Sequence, residues 1–500
     1  MSLNFSPSQP CRIQQVPGWD LETDVTVVGF GAAGACAAIE AAGAGAAVTL
    51  LEAASGNGGT SALSGGEIYL GGSGGTPAQR QAGFSDETED LFRYLMMAGG
   101  ADADEAKVRR YAENSLAHHD WLVAQGVVYK NTFLPERMLE PVTDDCLIWS
   151  GSEEAWPFVE RARPCPRGHT PQWDGWGGGR MLMDALAARV EQLGVEIRYD
   201  SRVLALIADD ANHVHGVVVR MDGRICFARA RNGVILCAGG FVMNRDMVRR
   251  HAPHLMRSGD PIGTPGDDGT GILLGMSVGG ASIHMDQAFL SLPFYAPESL
   301  LKGVFINERG QRFINEDCYH GRVGYHIMQQ TGDRIFLLLD NATYQPPAEF
   351  TRIQIAAAGE TWEEVERDLG LPEGALVSTV ALYNRHAADG NDPLFHKGAR
   401  WLKPLDEPPF VALDCRVDYA MYPHFTLGGL DTLPSGEVVT EKRQPIGGLY
   451  AAGRTTCGLP RWGGGYSSGL SLADATFFGR QAGSSAAKAR NRHPADVMAG

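Results

Sequence analysis

The sequence predicts an α/β protein: a Rossmann-like nucleotide-binding domain, divided along the chain, with an α+β domain inserted into it. Three observations predict this. A β-branched run, Asp24-Val25-Thr26-Val27-Val28, enters the turn Gly29-Phe30-Gly31-Ala32-Ala33-Gly34, and an alanine-rich helical stretch follows. A second apolar run, Ala47 to Leu51, ends in Glu52, about 20 residues past the glycines, where a carboxylate accepts ribose hydroxyls. Glycine-rich stretches then recur on both sides of a segment, 282–424, that is poorer in glycine and richer in aromatic residues.

Each residue type in the turn has a physical task. Gly29 permits the tight bend, Gly31 lets the backbone approach a pyrophosphate, and Gly34 lets the helix pack closely on the strand. Ala32 and Ala33 lie in the turn, and the helical pattern Ala35 to Ala42 follows, its N-terminus offering free N–H groups and a partial positive charge to phosphates. Glu52, with Ala53 beside it, favours a free 2′-hydroxyl, hence FAD or NAD over NADP. At 500 residues the chain is expected to form two domains. The 63 glycines suit close backbone–ligand approaches, and the net charge of -16 argues against nucleic acid and anionic membrane surfaces. The 9 cysteines are odd in number and form no C-x-x-C pair, which reads as reduced thiols with no zinc, iron–sulfur or haem site. With no basic-then-apolar leader and no apolar run near 18 residues, a cytoplasmic protein with no membrane segment is expected. Monomer and homo-oligomer both stay open.

Residues 1–22 read as a polar arm. The small-residue loop from Ser55 to Gly66, holding Gly58, Gly59, Thr60, Ser61, Gly65 and Gly66, follows the Glu52 strand and is read as pressed against a flat cofactor. Helical spacing covers 86–100 and 104–125, with Asp86 and Asp104 as N-caps. The Trp- and Pro-rich stretch 141–178 is either an irregular lid or a surface loop. A helix, Arg180 to Leu193, ends at Gly194. Strands follow at Val195–Tyr199, Val203–Ile207, Val214–Arg220, Ile225–Arg229 and Gly233–Cys237, with a hairpin at Asp222-Gly223. Beyond them, Ala238-Gly239-Gly240 makes a second approach to the cofactor. Inside the insert, helices are expected at Trp362–Leu369 and Leu376–Ala388. A last helix is expected at 470–488, with the final dozen residues disordered.

These motifs together resemble the FAD-dependent fumarate reductase / succinate dehydrogenase flavoprotein superfamily over nearly the whole chain. The resemblance rests on Gly29–Gly34, Gly58-Gly59-Thr60, Ala238-Gly239-Gly240-Phe241, Arg312-Phe313-Ile314-Asn315-Glu316, Thr426-Leu427-Gly428-Gly429-Leu430 and Leu449-Tyr450-Ala451-Ala452-Gly453. It implies a glutathione-reductase-type FAD-binding domain from 1–281 and 425–500, with a catalytic domain at 282–424. The position of the family's FAD-attaching histidine is Gly59, so non-covalent FAD is implied. Val203, Gly453, Arg454, Gly469, Ser471 and Leu472 join the implied cofactor set. The helix from Leu470 is implied to point its N-terminus at the flavin pyrimidine ring, favouring the anionic reduced flavin.

The family's dicarboxylate members hold their substrate with arginines and two histidines, because a desolvated anion must be paired. Here His424 matches one histidine and is read as structural. The other position falls near Ser291, the proton-delivering arginine near Ser299 to Lys302, and Arg461 matches a substrate arginine only loosely. The departures resemble the 3-ketosteroid dehydrogenase branch, its Δ4-(5α) type above the Δ1 type. This resemblance is carried by Tyr319, by Tyr466 in Gly463-Gly464-Gly465-Tyr466-Ser467-Ser468-Gly469, and by Asp392-Pro393-Leu394-Phe395 and Pro408-Pro409-Phe410. It implies a 3-ketosteroid substrate and a separate, unidentified electron acceptor. Tyr466 is the implied hydrogen-bond donor to the ketone oxygen, with the Gly469 N–H assisting. Ser468 and Tyr319 form the proton path, in either order. Glu316 and Asp317 are read as structural. Phe289, Leu290, Phe294 and Tyr295 are expected to line the steroid slot, with no carboxylate base beside it.

Overall fold

The computed structural model describes residues 5–489. A nine-stranded sheet carries the nucleotide-binding part, in the order Cys11–Arg12, Arg202–Ala208, Val214–Met221, Arg224–Leu236, Leu21–Val28, Val48–Leu51 and Glu196–Arg198. Glu437–Val439 and Pro445–Ala451 join it at Arg224–Leu236. That 13-residue strand is continuous where the sequence suggested two. Its first half pairs antiparallel with Val214–Met221 across the Asp222-Gly223 turn, where both residues have positive φ (47° and 72°). Its second half lies parallel between Leu21–Val28 and Pro445–Ala451. A register shift between Ala230 and Gly233 joins the halves, and Arg231, beside it, pairs outward with Asp24 at 2.8 Å. One strand thus serves two sheet regions.

Three expectations need correction. The described part of the N-terminal segment is no free arm: Cys11–Arg12 pairs with Ile207–Ala208, and Phe5, Ile13, Val16 and Trp19 pack on Cys11, Ala205 and Phe227. Asp86 does not cap a helix. The helix runs Thr88–Ala98 after Glu87, and Asp86 turns inward to Arg167, its Oδ2 accepting from Nε at 2.9 Å and its Oδ1 from Nη2 at 2.6 Å. Asp104 does cap Glu105–Ala124, accepting from the Lys107 N–H at 3.1 Å. The 141–178 stretch is largely internal: Leu147–Ile148 and Gly168–His169 join Ile68–Tyr69 and Phe133–Leu134 in a small sheet. The final dozen residues, apart from Ala489, lie outside the described part.

The insert's antiparallel sheet runs Val304–Asn307, Ile335–Leu339, Phe410–Asp414, Gln354–Gly359. Period-two alternation divides its side chains. Ile306, Phe336, Leu338 and Ala412 pack on helices Trp362–Leu369 and Ala375–Ala388. Phe305, Leu337, Leu339 and Leu413 face the core shared with the nucleotide-binding part. The chain enters and leaves the insert through paired strands, Ser282–Ile283 with Gly429–Leu430 and Ala288–Leu290 with His424–Thr426. Among the described residues, no helix is long and apolar enough to cross a membrane.

Helix Ala32–Gly43 packs directly on helix Leu470–Lys488. The approach is close where glycine meets alanine: a Cβ on Gly483 would overlap the carbonyl of Ala37, and one on Gly479 that of Ala33. Gly483→Val is therefore expected to destabilise the fold by about 1–3 kcal/mol or more, read as a lowered Tm. An unchanged Tm would show that this contact yields freely.

Candidate active site

The glycine turn lies at the carboxyl end of Leu21–Val28, beside Arg224–Leu236 and Val48–Leu51, the crevice where doubly wound sheets bind ligands. A cavity of about 430 Å³ starts here and runs beneath the insert. Gly29, Gly31, Ala32, Ala33, Glu52, Ala53, Gly59, Thr60, Ser61, Gly65 and Val203 line it, as do Ala238, Gly239, Gly453, Arg454, Gly469, Ser471 and Leu472. Four further glycines of the predicted set are not in its lining. A Cβ on Gly34 would strike the Gly29 carbonyl, one on Gly58 would meet Ala62, one on Gly66 would meet the Gly178 backbone, and one on Gly240 would meet Thr426 Oγ1. Gly29 itself has φ +103° and lies against the Cys237 carbonyl.

The lining fits a dinucleotide. The Glu52 carboxylate is aimed by the N–H groups of Phe30 and Ala54, at 2.7 and 2.8 Å. Helix Leu470–Lys488 brings its N-terminus to the wall through Ser471 and Leu472. The buried Nη1 of Arg454 has no partner of its own, while Nη2 donates to Asp267 at 2.6 Å. Asp267 also accepts from the N–H groups of Gly240 and Thr264 and from the Thr60 hydroxyl.

Beyond the nucleotide region the chamber changes character. Tyr466 follows the turn Gly463–Gly465, and its ring packs 4.6 Å from Phe289 and 5.7 Å from Phe425, centroid to centroid. Its hydroxyl meets Ser471 Oγ at 3.0 Å. Ser467 turns away to Tyr94 OH at 2.7 Å, so Tyr466 and Ser468 both face the chamber. Tyr319 comes from the insert, just ahead of helix His320–Met328, with its N–H donating to Ser152 Oγ at 3.1 Å. The rings of Tyr319 and Tyr466 are 6.4 Å apart. Burial pushes the Tyr466 phenol up to about 12, and burial pushes Tyr319 well above the usual phenol range. Both are therefore protonated O–H donors around neutral pH.

The carboxylate clamp does not converge here. His424 lies in the strand His424–Thr426, outside the lining, with Nδ1 3.1 Å from the Tyr422 carbonyl oxygen. Arg461, also outside it, donates to the carbonyls of Gly458 and Asp102. Ser299 to Lys302 are absent from the lining too. Among the described residues, the arginines that do line the cavity, Arg202 and Arg454, are paired with Asp268 and Asp267. Glu316 is bound by Arg312 and Lys397, and Asp317 accepts from the Gly398 N–H at 2.8 Å. Phe289, Ser291 and Pro293 face the chamber, while Leu290, Phe294 and Tyr295 are buried behind them.

Among the lining residues that escaped the sequence reading, two bear on the chamber's chemistry. His320 hydrogen-bonds Ser291 Oγ through Nδ1, and burial pushes it down to about 3; only its position next to Tyr319 hinted at it. Below about pH 6.5 the unfolded chain protonates this histidine and the folded one does not. The stability present above that pH is thus lost as pH falls toward 3. Wild-type Tm is expected to drop more steeply than that of His320→Gln between those limits; parallel curves would contradict the neutral imidazole. The second is Glu67, a buried lining carboxyl, where no carboxylate was expected.

A flavin-dependent oxidoreductase, using FAD, is the class of enzyme that this fold and site define. The chain belongs to the FAD binding domain family, whose model matches residues 24–467. The crystal structure of 3-ketosteroid-Δ4-(5α)-dehydrogenase from Rhodococcus jostii RHA1, in complex with 4-androstene-3,17-dione, is 45% identical. It superposes with a TM-score of 0.90 over 96% of this chain and 100% of that one. The 3-oxo-5-alpha-steroid 4-dehydrogenase of Comamonas testosteroni is 28% identical over 87% of this chain and 93% of its own length. The fumarate reductase (cytochrome) of Shewanella frigidimarina is 28% identical over 93% of this chain and 77% of its own length.

Proposed function

We propose that this enzyme oxidises 3-oxo-5α-steroids, introducing the C4–C5 double bond next to the 3-keto group. The observation that carries the reading is the neutral end of the chamber. Two phenols and an alcohol face a space walled by Phe289, Pro293 and Phe425, and the cationic clamp is elsewhere. An apolar ketone loses little on entering such a space, whereas an unpaired dianion loses a great deal. The similarity to the Rhodococcus enzyme favours the same substrate class. We further assign 1–281 and 425–500 to cofactor binding, and 282–424 to the substrate side.

Bound FAD, held non-covalently, supplies a hydride acceptor at isoalloxazine N5. The protein's own task is positioning and proton handling. Tyr466 donates its O–H to the ketone oxygen, stabilising the enolate charge that makes the α-proton acidic. The Gly469 N–H assists as a second donor. Ser468 and Tyr319 carry the α-proton away from C4. Reoxidation requires a separate electron acceptor. Anaerobic addition of a 5α-3-ketosteroid is expected to bleach the flavin and yield the 4-ene-3-one. Bleaching by succinate instead, or by neither compound, would overturn the reading, and a 1-ene product would correct its regiochemistry.

A further inference from the structure

The proton path through Ser468 and Tyr319 has no end of its own. A hydroxyl is a weak base that must hand its proton onward, and burial keeps the Tyr319 phenol from holding a negative charge. Glu67 stands where that end is needed. It is 5% exposed, it lines the same cavity as Tyr319 and Ser468, and its Oε1 is buried with no partner. The backbone fixes its place. It leads directly into strand Ile68–Tyr69, the Tyr69 N–H donates to the Gly469 carbonyl at 3.2 Å, and a Cβ on Gly469 (φ +90°) would press on residues 67–69. Glu67, Ser468 and Tyr319 line one cavity, and the Ser468 hydroxyl acts on both the Glu67 carboxyl and the Tyr319 phenol, lowering each.

We propose that Glu67 is the terminal proton acceptor of the chamber, taking the substrate's α-proton through Ser468 with Tyr319 as the neighbouring hydroxyl. This rests on the steroid-oxidation reading above. The C4–H bond breaks and its electron pair becomes the new C4–C5 π bond. The C5 hydride would leave with its own pair to FAD bound in the cavity, and the proton ends on the Glu67 carboxylate. The substrate thus loses one proton and one hydride. Glu67 acts through Ser468, so its role is that of a relay.

The surroundings suit the task. Burial, reinforced by the Glu140 and Glu153 carboxylates, pushes the Glu67 carboxyl up to about 8, against the opposing contact with Ser468. Glu153 has Arg137 and Arg167 near it, and Glu140 accepts from the Gly177 N–H at 3.2 Å. Tyr319 and Tyr466 are the other titratable groups that feel Glu67, and both stay protonated. A carboxyl so placed is half-ionised close to working pH, where a proton acceptor is most effective.

The test uses the FAD-loaded enzyme, with anaerobic single-turnover bleaching by a 5α-3-ketosteroid followed from pH 6 to 10. Wild type is expected to speed up with pH along one ionisation near 8. Glu67→Gln is expected to lose that limb and slow by about 10²-fold or more, with FAD content and steroid-induced spectral shift retained. Glu67→Asp is expected to restore a displaced limb, and it decides the matter if the glutamine variant fails to hold FAD. Independently of steroid, wild type is expected to lose Tm relative to Glu67→Gln as pH rises from about 4.5 through 8, because only the folded carboxyl resists ionisation. A wild-type limb that persists in Glu67→Gln with a rate within threefold would overturn the relay alone. No bleaching of wild type at any pH would remove the steroid reading and the relay together.

Discussion

Tyr466→Phe is expected to keep its FAD and lose turnover by about 10²- to 10³-fold, the usual effect of removing one donor to a developing oxyanion. The substitution isolates a single atom. The ring packs against both Phe289 and Phe425, so phenylalanine preserves the packing. Only the O–H that reaches Ser471 is lost. FAD content from the visible spectrum, and single-turnover flavin reduction by a 5α-3-ketosteroid, separate binding from chemistry. If the variant turns over at a near-normal rate, the ketone oxygen is stabilised by other donors and Tyr466 leaves the mechanism.

The largest effect on stability is expected from Asp86→Ala. Arg167 is fully buried and forms a two-point pair with Asp86, while Asp86 Oδ2 also accepts from the Gly72 N–H at 3.1 Å. Arg167 Nη1 already lacks a partner, so the mutant would strip the guanidinium of both its hydrogen bonds to a carboxylate. Breaking such a pair from one side costs about 3–5 kcal/mol. Denaturant unfolding of the holoenzyme should register the loss. Replacing both residues by apolar ones should cost less than Asp86→Ala, and the reverse order would mean that the residual charge finds water.

How far the sequence revealed these features depended on how local their causes were. The glycine turn, the Glu52 strand and the helix at Leu470 were legible because each rests on residues adjacent in the chain. The long strand Arg224–Leu236 was not, because the polar Arg231-Asn232 pair imitates a break at the point where its partner changes. Asp86 carries an N-cap's signature and a core ion pair's position, and burial decided between them. Tyr319, Tyr466 and Ser468 stood out through family motifs. Glu67 follows a loop of small residues and looked unremarkable, because what gives it meaning is Ser468, far away in sequence. The same distance hid the Ser291–His320 pair.

The two alanine-and-glycine helices set an order on the molecule's birth. Ala32–Gly43 is translated before the insert and Leu470–Lys488 after it, yet the cavity wall needs the N-termini of both. A nascent chain therefore displays its phosphate loop while the facing wall is still unmade. Loading with FAD has to await the second helix, so fragments ending within the insert should emerge colourless.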